Sequence, residues 1–330
     1  MRHLGAVQSQ DYPGAKWSLA MRLKRATDAS LDAAFDAGRF LRTHVLRPTW
    51  HFVLPEDIRW MLELTSPHVR RQMGYYNRHF ELSPAVYRKT HRILEKALRD
   101  QRHLTRTEVA AELARGGVRA AGTRLAFILI EAEQIALVCS GAMKGKQQSY
   151  ALLTERAPEA KALPRDEARA RLALRFFQGH SPATLRHFAW WSQLTLAEAK
   201  RGLADVDSQL EREVRDGTEW YSAAGRTAQV RSVMAHLIPE YDEALVGSAD
   251  MEHKDIRRTA SRRADNFIKP IVIGGRHAGA WRRLMGPRTV TIEAALQARL
   301  SASESTALRR AVERYAEFLG RPVMLRTKKG

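Results

Sequence analysis

Two glutamines separated by one residue stand near the start of the chain, in Leu4–Gly14. In an extended segment Gln8 and Gln10 would project from the same face, because side chains alternate with a period of two. In a helix they would point about 200° apart. Each amide has an acceptor oxygen and a donor nitrogen, so an extended pair can hold a water molecule or a sugar oxygen without adding charge. On a very basic chain, this spacing suggests the handling of DNA together with mild chemistry.

A second group of candidates lies in Phe40–Leu54, where apolar and basic residues mix and β-prone residues gather near the end. Alternation places His51 on the same side as Thr49 and away from Trp50. We expect Thr49 and His51 to line the cleft of the glutamines and to hydrogen-bond a substrate or a phosphate. A structural histidine is the equal alternative for His51. Arg47 is expected to contact a phosphate, with ordinary surface exposure as the alternative.

The charge of the chain points to its partner. Among 330 residues there are 55 Lys and Arg against 36 Asp and Glu, which gives a formal net charge of +19. An excess of this size predicts a polyanionic partner, most simply nucleic acid. Coding bias toward arginine is the alternative, but bias alone does not leave the arginines unbalanced by acids.

Several classes of protein are disfavoured by the sequence. No apolar run reaches the roughly 18 residues of a membrane-spanning helix, and the N-terminus lacks the apolar region of a secretory signal. The single cysteine, Cys139, allows no internal disulfide, and no zinc-finger spacing occurs. We therefore expect a cytoplasmic protein with no membrane contact, metal or cofactor. The lack of long coiled-coil heptads makes a monomer the default.

Turn and capping signals divide the chain into four predicted regions: 1–100, 101–163, 164–227 and 228–330. In the first, helices are expected from Pro55 and from Ser83. In the second, a capping box at Thr105 begins the first of two helices, and a hairpin follows. Its turn carries Lys144 and Lys146, where the wing of a winged helix meets phosphates. The fold class predicted is α+β and mostly helical, with tandem winged-helix units.

The third region has the pattern of a helix-turn-helix. Ser181-Pro182 is expected to cap one helix, and a capping box at Thr195 starts the next. Strands within 214–221 would form its wing. Trp190 and Trp191 lie in the first of these helices, where core packing is favoured over stacking on bases.

The fourth region is predicted to contain a β-hairpin, with strands at 268–273 and 277–281 joined at Gly274-Gly275. A long helix from about Ser303 to Phe318 follows, and 327–330 is expected to be a loose tail.

Four basic residues of this last region are candidate DNA contacts: Arg262, Arg263, Arg276 and His277. Arg262 and Arg263 are expected to meet phosphates. Arg276 and His277 adjoin the hairpin turn, whose glycines allow close approach of the backbone to a groove. A simple surface hairpin is the alternative.

Over nearly its whole length the chain resembles the AlkZ/YcaQ-type winged-helix DNA glycosylases. The residues that carry the resemblance are Val7–Tyr12, Arg47–Val53, Gly179–Thr184, Phe188–Ser192, Tyr241–Glu243 and Gly275–Trp281. The resemblance implies three tandem winged-helix units around a concave surface for double-stranded DNA. It also implies excision of N7-alkylated guanines, with unhooking of interstrand crosslinks by some members, and a probing hairpin near Gly274-Gly275.

Gln8 and Gln10 fall on the catalytic motif of that family, which is a glutamine, a mostly aliphatic residue, and then Gln or Asp. Ser9 departs from the pattern, and His187 stands where relatives often place Asp. The implied role of the pair is to place a water molecule at the sugar carbon of a nucleotide whose base is already cationic. The alternatives are a non-catalytic winged-helix DNA-binding protein or regulator and, less favoured, an RNA-binding or toxin-associated module.

Overall fold

The computed structural model describes residues 1–225, 233–247 and 269–329. Arg262 and Arg263 lie outside the described residues, as does Ile268 at the start of the predicted hairpin. The described chain mixes helices and strands, which confirms the α+β class. Three tandem winged-helix units remain a prediction.

The helices are α1 (Tyr12–Ala20), α2 (Asp28–Asp36), α3 (Pro55–Gln72), α4 (Gly74–His79), α5 (Pro84–Leu98), α6 (Arg106–Arg115), α7 (Gly122–Gln134), α8 (Leu153–Arg156), α9 (Arg165–Gly179), α10 (Leu185–Ser192), α11 (Leu196–Ala204), α12 (Glu243–Val246) and α13 (Ala302–Leu319). The strands are β1 (Val7–Gln8), β2 (Leu41–His44), β3 (Trp50–Val53), β4 (Leu104–Thr105), β5 (Val138–Ser140), β6 (Ser149–Leu152), β7 (Leu210–Arg215), β8 (Thr218–Ala223), β9 (Ala235–Leu237), β10 (Lys269–Ile273), β11 (Arg276–Met285), β12 (Val290–Leu296) and β13 (Val323–Lys329).

The chain divides into two compact units. Unit 1 is Met1–Gln10 with Ala33–Ala224, and unit 2 is Asp11–Asp32 with Gly225–Gly330. The finer division into four regions remains a prediction.

In unit 1, a small antiparallel sheet of order β1-β3-β2 carries the first glutamine. Its register sets Gln8 opposite His51, and Thr43 faces His51 from the other edge. Phe52 and Val53 are fully buried, which fits the preference of aromatic and β-branched residues for a packed central strand. The strand expected near the end of Phe40–Leu54 is thus confirmed. Pro55 begins α3, as its position after the strand predicts.

The second part of unit 1 follows the predicted order of helix, helix and hairpin. Thr105 and Glu108 make both hydrogen bonds of a capping box at the start of α6. Helices α6 and α7 pack through Val109, Leu113 and Ile128, which lie in one apolar core. The hairpin β5–β6 joins β4 in a sheet of order β4-β6-β5.

The helix-turn-helix segment differs from the prediction at its first cap. Helix α10 begins at Leu185 rather than after Ser181-Pro182, because Thr184 accepts a hydrogen bond from the backbone of His187. The His187 ring accepts from the Thr184 N–H in return, so a histidine occupies the position that an acid usually takes in a capping box. The predicted capping box at Thr195 is confirmed.

Between α10 and α11 the chain turns at Gln193, which is left-handed (φ 56°). Trp191 is fully buried, as expected for a core residue, whereas Trp190 is 48% exposed. The hairpin β7–β8 turns at Asp216-Gly217, where both φ angles are positive, as in the two-residue turns that match strand twist.

Unit 2 is built on a sheet of order β13-β12-β11-β10-β9. The predicted turn at Gly274-Gly275 is confirmed, with both φ angles positive (56° and 79°) between β10 and β11. The loose tail expected at 327–330 is wrong for its described part, because β13 pairs in parallel with β12 as far as Lys329. Parallel pairing with β12 supplies hydrogen-bond partners for the backbone N–H and C=O groups of these polar residues. The local sequence does not reveal that β12 is the partner strand.

An acid-sensitive contribution to stability is expected at Glu198 in α11. Burial opposes its charge, but hydrogen bonds from Arg165 and Thr195 and the charge of His68 outweigh burial and hold the pKa at about 2. A carboxylate with a lowered folded-state pKa stabilises the fold above its unfolded pKa, and that contribution is lost as the pH falls through the folded value. Wild type should therefore lose its advantage over Glu198→Gln as the pH falls from the ordinary 4.5 toward 2. Urea midpoints across this window measure it, and a constant difference would contradict it.

Candidate active site

The strand pairing of β1 with β3 brings three of the predicted residues together. The guanidinium of Arg47 donates from Nη2 to Gln8 Oε1 (3.0 Å) and lies 3.2 Å from His51 Nε2. Its other nitrogen, Nη1, donates to the carbonyl oxygen of Trp191 (3.0 Å), at the end of α10. Arg47 is therefore partly buried and fixed by neutral acceptors from three places in the chain.

The contacts of His51 define its tautomer. Nδ1 lies 2.9 Å from the carbonyl oxygen of Thr49. A carbonyl oxygen can only accept, so Nδ1 carries the proton and Nε2 presents its lone pair to Arg47. The singly protonated ring satisfies both contacts, whereas a second proton would point at the guanidinium. The fully buried His51 is thus built to hold Arg47 and Thr49 in position.

Gln10 reaches the same segment by a different route. Strand β1 ends at Gln8, so simple alternation along an extended strand does not apply as far as Gln10. Even so, Gln10 Oε1 accepts a hydrogen bond from the backbone N–H of Trp50 (3.3 Å). Gln8 is buried and Gln10 is exposed. Both amide oxygens therefore contact the short segment from Arg47 to Trp50, one from inside and one from the surface.

The middle residue of the motif is held by an arginine that sequence reasoning did not single out. Arg42 Nη2 donates to the carbonyl oxygen of Ser9 (2.7 Å), and Nε donates to its hydroxyl (3.3 Å). The Ser9 N–H in turn donates to the carbonyl oxygen of Trp50 (2.7 Å). The guanidinium of Arg42 lies 4.3 Å from the centroid of the Trp50 ring. The hydroxyl of Ser9 thus gains a hydrogen bond from Arg42 that an aliphatic side chain could not form.

A further group of buried polar residues begins at His44, whose ring contacts that of Trp50. The His44 ring lies 4.1 Å from the Trp50 ring, and both its backbone N–H and Nδ1 contact Glu133 Oε2. Glu133 is fully buried in α7. Arg42 and His44 are two residues apart in β2, so alternation along the strand could have placed them on one face. Their hydrogen-bond partners lie too far along the chain to be inferred from sequence.

Thr49 lies beside these residues. Its Oγ1 is buried and has no hydrogen-bond partner among the described residues. A buried hydroxyl without a partner costs free energy, about 1–3 kcal/mol, so such atoms concentrate at functional sites. That Thr49 contacts a substrate stays a prediction, since this oxygen is shielded from solvent.

The other predicted contacts lie elsewhere. In unit 1, Lys144 and Lys146 are exposed on the turn between β5 and β6. In unit 2, Arg276 is 80% exposed and pairs with Glu304 (3.0 Å). His277 Nδ1 lies 2.9 Å from Gln297 Nε2, and burial lowers its pKa, so the neutral ring is favoured.

The two hairpin lysines should contribute unequally to DNA binding. Lys144 pairs with both carboxylate oxygens of Glu108 (2.9 and 3.0 Å), whose pKa the Thr105 N–H and Lys144 lower to about 2. For Lys146, no ion pair is present within the described residues. Lys146→Ala should lower the salt slope of duplex binding by about one unit, and Lys144→Ala by clearly less.

Glu108→Gln provides the matched test, because it releases Lys144 from its partner. In this variant, duplex binding measured by anisotropy should become tighter. Its affinity should also fall more steeply as the salt concentration is raised from low to moderate. Equal slopes for all three variants and wild type would show that this turn does not meet phosphates.

The described residues give little support for other kinds of site, such as a metal centre. Across 1–225, 233–247 and 269–329 there is no group of three His, Cys, Asp or Glu side chains fit to hold a metal ion. Burial raises the pKa of the Cys139 thiol well above its ordinary value. No helix in the described part of the chain has the length and apolar character to cross a membrane.

Comparisons with known proteins were made by family, sequence and structure. A family model described as DNA glycosylase AlkZ-like matches residues 1–318. The structure is similar to that of Streptomyces sahachiroi DNA glycosylase AlkZ, with a TM-score of 0.75 and 17% identity over 99% of this chain and 92% of that chain. At this identity the likeness shows a shared fold. Among curated proteins no significant sequence match was found.

Proposed function

Since the chain belongs to the AlkZ-like family of DNA glycosylases, we propose that it hydrolyses the N-glycosidic bond of N7-alkylated purines in double-stranded DNA. In this proposal Gln8 and Gln10 position the attacking water, and the protein removes alkylation damage as a monofunctional enzyme. Bulky and crosslinked N7 adducts belong to the same chemical class.

The chemistry of the substrate suits two amides. An N7-alkylated guanine carries a positive charge, so its bond to deoxyribose is weak and the leaving base needs little protonation. The remaining task is to place water at the sugar carbon as an oxocarbenium-like state develops. Positioning of this kind can lower a barrier by several kcal/mol, up to roughly 7–11 in the best intramolecular cases. Neither glutamine is a strong base, so undamaged nucleotides should stay intact.

The observation that carries the proposal is the convergence of Gln8 and Gln10 on the Arg47–Trp50 segment. The Gln8 amide oxygen accepts a hydrogen bond from Arg47. Arg47 thereby fixes the direction of the Gln8 oxygen.

The direct test is release of base from defined DNA. Duplexes carrying a single 7-methylguanine, a bulkier N7 adduct or no lesion would be incubated with the protein, and free base measured by mass spectrometry above the spontaneous background. We expect release from both damaged duplexes and none from the undamaged control.

The alternative, a non-catalytic DNA-binding protein, predicts a different pattern. Such a protein would bind all three duplexes in an anisotropy assay yet release no base from any of them. That outcome would overturn the proposed function.

A further inference from the structure

A group of aromatic and basic side chains is exposed where α3 ends and α4 begins. We name it the α4 surface: Tyr75, Tyr76, His79, Arg71 and Arg78. Tyr75 is 64% exposed and Tyr76 is 45% exposed, which is unusual for rings of this size. Exposed aromatic groups that are rimmed by polar residues commonly mark binding surfaces.

The rings of the α4 surface are held in fixed positions. Tyr75 stacks on His79 with ring centroids 6.2 Å apart and planes 7° apart. Tyr76 stacks on Phe127 of α7 (4.7 Å, 20°), which packs against the core of the helices and hairpin. Asn77 accepts a hydrogen bond from the Tyr87 hydroxyl (2.7 Å), which ties α4 to α5. A preorganised surface loses little side-chain entropy on binding.

The charge around these rings is strongly positive. Residues 64–94 contain six Lys and Arg and a single acid, Glu81. Arg70 is paired with Glu131 (2.7 Å). For Arg71 and Arg78, both exposed, no ion pair is formed within the described part of the chain. Two guanidinium groups are therefore available to an anionic partner.

Hydrogen bonds lead from the residue next to Arg71 to the candidate active site. Gln72, at the end of α3, donates from Nε2 to Gln193 Oε1 (3.3 Å). Gln193 Nε2 donates to the carbonyl oxygen of Trp190 (2.7 Å), and the next carbonyl, that of Trp191, accepts from Arg47. The Trp190 side chain is half exposed.

We propose that the α4 surface binds unpaired nucleotides of the damaged strand beside the lesion, an inference that rests on the proposed function. In an intact duplex the faces of the bases are covered by their neighbours, so exposed rings gain little from it. Unpaired bases stack on aromatic side chains, and arginines contact the adjoining phosphates. The surface therefore selects DNA that is locally opened.

The test compares single-stranded and duplex binding. A labelled oligothymidine and an undamaged duplex would be titrated by anisotropy with wild type and with Tyr75→Ala/Tyr76→Ala. We expect the double variant to bind the single strand about tenfold or more weakly and to bind the duplex as wild type does. Tyr75→Phe/Tyr76→Phe keeps the rings and should bind normally. Leu23→Ala, at a residue that is 51% exposed and belongs to none of the predicted contacts, is the control for removing exposed apolar surface.

The outcomes separate this inference from the proposed function, because no lesion is present. Unchanged single-strand binding in Tyr75→Ala/Tyr76→Ala would overturn the inference and point to a protein partner for the surface. The variant could lose single-strand binding while wild type releases no base from damaged DNA. That result would support the inference about the α4 surface and contradict the proposed glycosylase activity.

Discussion

Replacing both glutamines, in Gln8→Ala/Gln10→Ala, should reduce base release from 7-methylguanine DNA by about 100-fold or more. Removing a single amide side chain that stabilises a transition state by hydrogen bonding typically costs roughly 10²–10³-fold in kcat. The effect should fall on kcat, because the amides act on a water molecule and not on the base or the phosphates. Single-turnover rates and duplex affinities of wild type and variant would be measured side by side.

The control for this variant is Gln209→Ala, which removes an exposed glutamine elsewhere in unit 1. It should release base at the wild-type rate. Circular dichroism and thermal unfolding would establish that the double variant is folded, since Gln8 lies in a strand pair. A folded double variant with undiminished release would remove the glutamines from the mechanism even if the protein is a glycosylase.

Removing the carboxylate of Asp242 should cost unit 2 about 1–3 kcal/mol of unfolding free energy, because buried donors would be left without their acceptor. Asp242 is fully buried and receives hydrogen bonds from both terminal nitrogens of Arg22 (2.8 and 2.6 Å) and from Ser18 Oγ (2.5 Å). It also caps α12 through the Ala244 N–H. Burial opposes the charge of Arg22, but Asp242 outweighs it and raises the pKa of Arg22 above its ordinary value. In Asp242→Ala this cation loses its carboxylate.

Urea unfolding of Asp242→Ala and Glu95→Ala would measure this effect against a surface pair. Glu95 pairs with Arg99 while both are largely exposed, and such pairs contribute about 0–1 kcal/mol. If the two variants lost similar amounts of unfolding free energy, burial of Asp242 would not contribute to stability. The contacts of Asp242 are those of a structural hydrogen-bond acceptor within unit 2.

Short-range features of this protein were predictable from sequence. The capping boxes at Thr105 and Thr195 and the turn at Gly274-Gly275 each depend on residues within three positions of one another, whose conformations follow from local sterics and hydrogen bonds. The error at Ser181-Pro182 was also local, since Thr184 offered a competing cap three residues on.

The amino-acid sequence by itself determined the candidate residues: it placed two amides one residue apart, a strand able to hold His51, and a basic excess over the chain as a whole. Only the tertiary structure decided how they are held. Arg47 reaches Gln8 across 39 positions and Trp191 across 144, and Arg42 reaches Ser9 across 33. Contacts at such separations depend on how strands and helices pack together. No local pattern of residue types predicts these contacts. The backbone conformation that neighbouring residues favour is the same whether or not the distant partner is present.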